Sequence, residues 1–134
     1  MIVRHATPFD IPRLIEMLRD YRSQTPLEFL SEVDNQPHVE NLLTEIIQGR
    51  GVALVAEKDQ VCGMLIASID PSMWSPRHLL LTELAYWVDV EHRGGTAGYR
   101  LLSEYVEEAK RLKESGRVTA FFISKMANSP DLSY

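Results

Sequence analysis

One cysteine, Cys62, stands among 134 residues. A single thiol excludes an intrachain disulfide framework, and such sparing use of cysteine suits a reducing compartment, so the expected location is cytoplasmic. No apolar run approaches the ~20 residues of a helical membrane span, and no membrane partner is expected. The opening MIVRHATPFD lacks a basic segment followed by an apolar one and does not read as a secretory signal. Positive charge is also short. Fourteen Lys and Arg against 19 Asp and Glu leave a net charge of −5. That balance argues against non-specific nucleic-acid binding and favours a cationic small molecule over an anionic one. The four histidines (His5, His38, His78 and His92) lack the spacing of a zinc site, and no metal is expected. There is no internal repeat, low-complexity tract or linker.

What is present is ordinary for a globular chain: 45% hydrophobic and 25% charged residues. The length suits a single domain over residues 1–134. Such a chain buries roughly two-thirds of its surface, enough for a core without staples.

Periodicity predicts the elements. IVRHA is a short strand. Ile11, Leu14, Ile15 and Leu18 recur at helical spacing as far as Tyr21, with Thr7 or Asp10 as cap. Residues 22–38 are irregular and read as a loop, with a single helical turn at 27–30. Val39, Leu42, Leu43, Ile46 and Ile47 form a second amphipathic stripe, stopped by Gly49 and Gly51. VALVAE and VCGMLIASI, separated by KDQ, predict a hairpin. DPSMWSPRH is a proline-punctuated loop, and LLLTELAYWVDV is a long strand apolar on both faces. Tyr99, Leu102, Tyr105, Val106, Ala109 and Leu112 mark a third helix, ended by Gly116, and RVTAFFIS is a further buried strand. The order β-α-α-β-β-β-α-β, with an antiparallel meander and one right-handed crossover, predicts an α+β fold. Its sheet is mixed and carries helices on both faces.

Between the long strand and the third helix lies VEHRGGTAGYR. Glycines let a backbone approach an anion closely, and a helix N-terminus offers unpaired N–H groups and partial positive charge. A glycine-rich turn can equally do nothing but turn. Two phosphate motifs are excluded. A P-loop needs Lys-Ser/Thr after its last glycine, but Tyr99 and Arg100 follow Gly98. The dinucleotide fingerprint has different spacing and opens the first βαβ unit.

The run WVDVEHRGGTAGYRLLSEYVEEAK resembles motif A of the GNAT superfamily of N-acetyltransferases, Q/R-x-x-G-x-G/A at a strand–helix junction. Arg93 matches its first position and Gly98 its last; Thr96 stands where the family usually has glycine. IVRHATPFDIPRLIEML is similar to the family's first strand and helix, and the element order matches through residue 124. The resemblance implies acetyl-CoA as acyl donor. Its pyrophosphate would lie on the N–H groups of Arg93, Gly94, Gly95, Thr96, Ala97 and Gly98, and its pantetheine arm would align along Val88 and Val90 at the strand end. The Thr96 hydroxyl could bond a phosphate oxygen or cap the helix, while its Cβ would crowd the phosphate.

Acetyl transfer to an amine requires the amine neutral, and a carboxylate can take its proton. Glu83 lies within the apolar LLLTELAYWV, at a position similar to the catalytic glutamate of many family members. The alternatives are a solvent-facing or arginine-paired glutamate. Asp89 is a weaker candidate. The family's motif B places a tyrosine acid before Gly-Phe. Here Tyr134 is the only match and no Gly-Phe follows, so the chain reads as C-terminally short, with the last strands of the family fold missing. The strand edge so exposed calls for a cover, and a homodimer is one way to supply it. Cys62 reads as a core residue, Met73 and Trp74 as pocket lining or packing. Glu28, Glu32 and Asp34 read as a solvated loop or an acidic lid. The resulting expectation is an N-acetyltransferase acting on a small-molecule or peptide primary amine. The alternative is an inactive CoA-binding or regulatory module of the same fold.

Overall fold

The computed structural model describes residues 1–24 and 35–123. The strands are β1 (Ile2–His5), β2 (Gly51–Lys58), β3 (Gln60–Pro71), β4 (Leu79–Val88) and β5 (Ala120–Phe122), and the helices α1 (Ile11–Ser23), α2 (Gln36–Glu45) and α3 (Ala97–Glu114). The five strands form one sheet in sequence order, antiparallel from β1 to β4 and parallel between β4 and β5. The α+β architecture expected from the sequence is the one observed, and the turn at residues 27–30 lies outside the described residues.

Alternation along the central strands divides the core. Val52, Leu54, Leu65, Ala67 and Leu81 face α3, which packs Leu101, Tyr105 and Ala109 against them. Ala53, Val55, Met64 and Ile66 face the opposite way, onto Leu14, Ile15 and Met17 of α1 and Leu43 of α2. Helices therefore cover both faces, which explains why β2 to β4 are apolar almost throughout. Gly63 is needed for this packing: a Cβ there would lie 3.0 Å from Leu101 Cδ1 and 3.2 Å from the Trp87 carbonyl oxygen. No helix among the described residues is long and apolar enough to cross a membrane.

Several boundaries differ from expectation. The β2–β3 hairpin turns on Asp59 alone, at a φ of 63° that Asp tolerates better than most residues. β5 is short because it pairs with β4 only from Leu80 to Thr82. The last expected residue of the long strand, Val90, instead lies in a 3-10 turn, Val90–His92, and is exposed.

Asp10 precedes α1 but does not cap it. Its carboxylate accepts from Arg4 Nη1 at 2.8 Å and Nη2 at 3.1 Å, and from the Thr7 N–H at 2.7 Å. The Arg4 guanidinium holds this carboxyl below its ordinary value of 3.8. With the folded value depressed, the stabilisation is present above the unfolded value and is lost as pH falls through the folded one. The stability gap between the unaltered protein and Asp10→Asn should therefore be constant near neutrality and shrink below about pH 4. Melting curves across that range whose gap does not change would refute the assignment.

Candidate functional site

The site grows from one irregularity in β4. Ile66 pairs with Ala85, but the next residue, Ala67, pairs with Glu83, so Leu84 is an unpaired extra residue. Such a bulge bends a strand and ends regular pairing. β5 runs beside β4 only before this point. After it, the outer edge of β4 has no strand partner among the described residues. Asp89 N–H donates to the Cys62 carbonyl at 2.8 Å, towards β3. All peptide bonds described are trans, so the Val88 carbonyl on the other side of that peptide points to the open edge. Antiparallel pairing alternates, which aims the polar groups of Tyr86 the same way.

The loop after β4 folds back onto this edge. Arg93 Nε donates to the Val88 carbonyl at 2.8 Å, and the Arg93 guanidinium lies 4.4 Å from the centre of the Trp87 ring. Arg93 Nη2 is buried with no hydrogen-bond partner among the described residues. The Val90 carbonyl accepts from the Arg93 N–H at 3.2 Å as part of the turn. Both positions assigned to the pantetheine arm are thus bonded to Arg93, and only Val88 is in the strand.

Among the described residues, Gly94 and Gly95 have no intramolecular reason to be glycine. A Cβ on Gly94 would meet nothing within 4 Å, one on Gly95 would lie 3.8 Å from the His92 carbonyl, and neither has a positive φ. Thr96 is exposed at the N-cap of α3, and its side chain makes no capping bond. The 18-residue helix α3 thus starts without a side-chain cap, directly after the open space at Gly94 and Gly95. Ala97 and Gly98, in its first turn, are buried. The Tyr86 hydroxyl donates to the Gly98 carbonyl, anchoring the helix start to β4.

Glu83 is 4% exposed, which removes the solvent-facing alternative. It pairs across the ladder with Ala67, on the α3 face, and it makes interactions within the fold. Its charge, after burial itself, helps raise the pKa of the Tyr105 hydroxyl on α3 and of the Tyr21 hydroxyl on α1. On the opposite face, Leu84 and Ala85 floor a cleft of about 340 Å³ between α1 and α2. Leu18, Tyr21, Val39 and Leu42 form its walls, and this apolar cleft had no sequence signal.

Asp89 does not have the role of a free base. Its carboxylate accepts from Trp87 Nε1 at 3.0 Å and from Arg13 Nη2, while Arg13 Nε donates to the Val61 carbonyl at 3.0 Å. Sequence reading missed this network because Arg13 and Asp89 are 76 positions apart. Asp89, Glu91 and His92 bring possible ligand atoms within 4.8 Å of one another, but both Asp89 oxygens are already bonded. Cys62 is buried, and burial pushes its thiol pKa up. Met73 and Trp74 are 84% and 88% exposed and neither pack nor line a described cavity. Glu28, Glu32, Asp34 and Tyr134 lie outside the described residues.

Comparison with known proteins identifies the family and the fold. The family model described as "Acetyltransferase (GNAT) family" matches residues 13–129. No curated protein matches the chain. Among solved structures, a ribosomal-protein-alanine N-acetyltransferase from Brucella melitensis is similar at 27% identity and a TM-score of 0.68, over 84% of this chain and 69% of its own. A predicted acetyltransferase with acetyl-CoA from Clostridium acetobutylicum shares the fold at a TM-score of 0.71 and 15% identity, over 98% of this chain and 84% of its own. An aminoglycoside acetyltransferase from an uncultured soil metagenomic sample does so at 0.64 and 14%, over 94% and 78%. The match to the family model spans most of the chain, so the protein belongs to the GNAT acetyltransferase family.

Proposed function

We propose that the chain transfers an acetyl group from acetyl-CoA to a primary amine. The observation that carries this reading is the pair Gly94 and Gly95. Both are glycine where the fold leaves room for a side chain, at the uncapped start of α3 and beside Arg93. A ligand pressed against that backbone supplies the missing reason. A pyrophosphate suits the N–H groups and the cation, and the open edge of β4 beyond the bulge suits an extended amide-bearing arm.

Acetyl-CoA, when bound, supplies an activated thioester. The chain's own residues do the rest. The 93–98 loop holds the phosphates and the β4 edge aligns the arm. The Glu83 carboxylate takes a proton from the attacking amine, directly or through water. Burial keeps that carboxylate away from bulk solvent. The amine itself is not specified by the fold. One similar structure is a ribosomal-protein-alanine N-acetyltransferase and another an aminoglycoside acetyltransferase, so their shared feature is an amine rather than a scaffold.

Calorimetric titration tests the reading. The folded protein should bind acetyl-CoA, and Gly94→Val should weaken binding about tenfold or more while shifting stability by no more than about 0.5 kcal/mol, as at an uncrowded surface position. No binding to the unaltered protein, or an unchanged affinity in Gly94→Val, counts against it. A second reading, a CoA-binding module without catalysis, is favoured by one observation: the buried Glu83 is already engaged in interactions within the fold. A thiol-release screen over amines, amino acids, polyamines and aminoglycosides separates the two, since only the first yields free CoA.

A further inference from the structure

We propose that Arg93 selects the acyl donor: its side chain covers the β4 edge against a bare pantetheine arm and withdraws only for a donor that brings a pyrophosphate. This rests on the coenzyme reading above and goes further, because it assigns the side chain, rather than the loop backbone, a role in telling donors apart.

The argument begins with the unpaired atom. A guanidinium has five N–H donors in a fixed plane. Here Nε is bonded to the Val88 carbonyl and the plane lies over Trp87, but Nη2 is buried without a partner among the described residues. A buried, unsatisfied charged donor is costly. The arrangement is therefore held against an alternative that satisfies more of its donors. Phosphate oxygens offer that alternative, because guanidinium and phosphate match in a bidentate fork. The loop next to Arg93 is where such oxygens would sit, with open space at Gly94 and Gly95.

The Val88 carbonyl links the two states. It points to the open edge, where an amide of the pantetheine arm would seek a backbone acceptor, and Arg93 already occupies it. An acyl donor with pantetheine alone competes with the arginine for this carbonyl and gives it nothing in return. A donor with a pyrophosphate gives the guanidinium a better partner and so clears the edge for its own arm. The discrimination is a difference between donors created by an obstructing contact, not by added attraction alone.

Binding of CoA and of pantetheine is measured by calorimetry on the unaltered protein and on Arg93→Ala. CoA should bind the unaltered protein well and the variant about tenfold more weakly, the size of one lost charged hydrogen bond. Pantetheine should change in the opposite sense, binding the variant about threefold more tightly or better by the same arithmetic. A variant that binds pantetheine no better than the unaltered protein overturns the proposal, even if CoA binding falls. A folded, unaltered protein that binds neither ligand overturns the coenzyme reading itself, and this inference with it. Should Arg93→Ala not fold, the Arg93 Nε–H nuclear resonance of the unaltered protein decides. It should move when CoA is added and stay in place at an equal concentration of pantetheine, which binds too weakly there to compete with the arginine. A signal that stays fixed at CoA saturation overturns the proposal.

Discussion

Replacing Glu83 by Gln should lower kcat about a hundredfold or more, within the 10²–10⁴ range of positioned proton transfer. The amide keeps the size and shape of the side chain but cannot take a proton at neutral pH. Since Glu83 lies in β4, away from the 93–98 loop, the KM for acetyl-CoA should stay within about threefold, the pattern of an interaction made in the chemical step. A change in fold would confuse the result, and the tyrosines guard against that. Burial and then the Glu83 charge raise the pKa of the Tyr21 and Tyr105 hydroxyls. In a folded Glu83→Gln both should titrate at lower pH than before, though still above the ordinary value because burial remains. A variant with this tyrosine signature and nearly full kcat would remove Glu83 from the mechanism.

The second large effect is on stability. Asp89→Ala removes the acceptor of Arg13 and of Trp87 Nε1 together. Breaking a buried ion pair from one side costs about 3–5 kcal/mol because the other charge stays behind. The Asp89 side chain is 10% exposed and that of Arg13 26%, so water screens part of the loss, and about 2–3 kcal/mol is expected. Denaturant unfolding should show the loss as a lower midpoint with an unchanged slope. Asp89→Asn keeps one acceptor oxygen and should lose roughly half as much. Arg13→Met combined with Asp89→Ala should recover part of it, because no unpaired charge remains. An Asp89→Ala protein within about 0.5 kcal/mol of the original would show that this network does not tie α1 to the end of β4.

The helices were legible because their apolar residues fall on one face. The stripe through Ile11, Leu14, Ile15 and Leu18 became α1, and the third stripe became α3. The glycine loop was legible as a strand–helix junction, and Glu83 as a lone acid in an apolar run. The bulge was not. With Leu84 and Ala85 both apolar, LLLTELAYWV carries no phase from which an extra residue could be counted. Val90 was misplaced for a related reason: an apolar residue after Asp89 extends the strand pattern, whereas backbone bonds at Asp89 and Val90 turn the chain into a 3-10 turn. The Arg93 contact to Val88 and the Arg13 pair to Asp89 needed the fold itself. Neither partner choice follows from residue type, and the second joins distant parts of the chain.

The Leu84 bulge has a consequence for how such a chain can change over time. By adding one residue, it resets which side each later residue of β4 faces, so Glu83 belongs to one surface of the sheet and Leu84 with Ala85 to the other. The two surfaces then meet along a single strand, and the Glu83 charge is felt by Tyr105 on one side and Tyr21 on the other. Substitutions at Leu84 can reshape the cleft between α1 and α2 while the opposite surface keeps its residues. Loss of Leu84 would instead reverse the facing of everything from Ala85 to Val88. The strand therefore carries two surfaces of unequal freedom: the cleft side open to substitution at Leu84, the other held by phase.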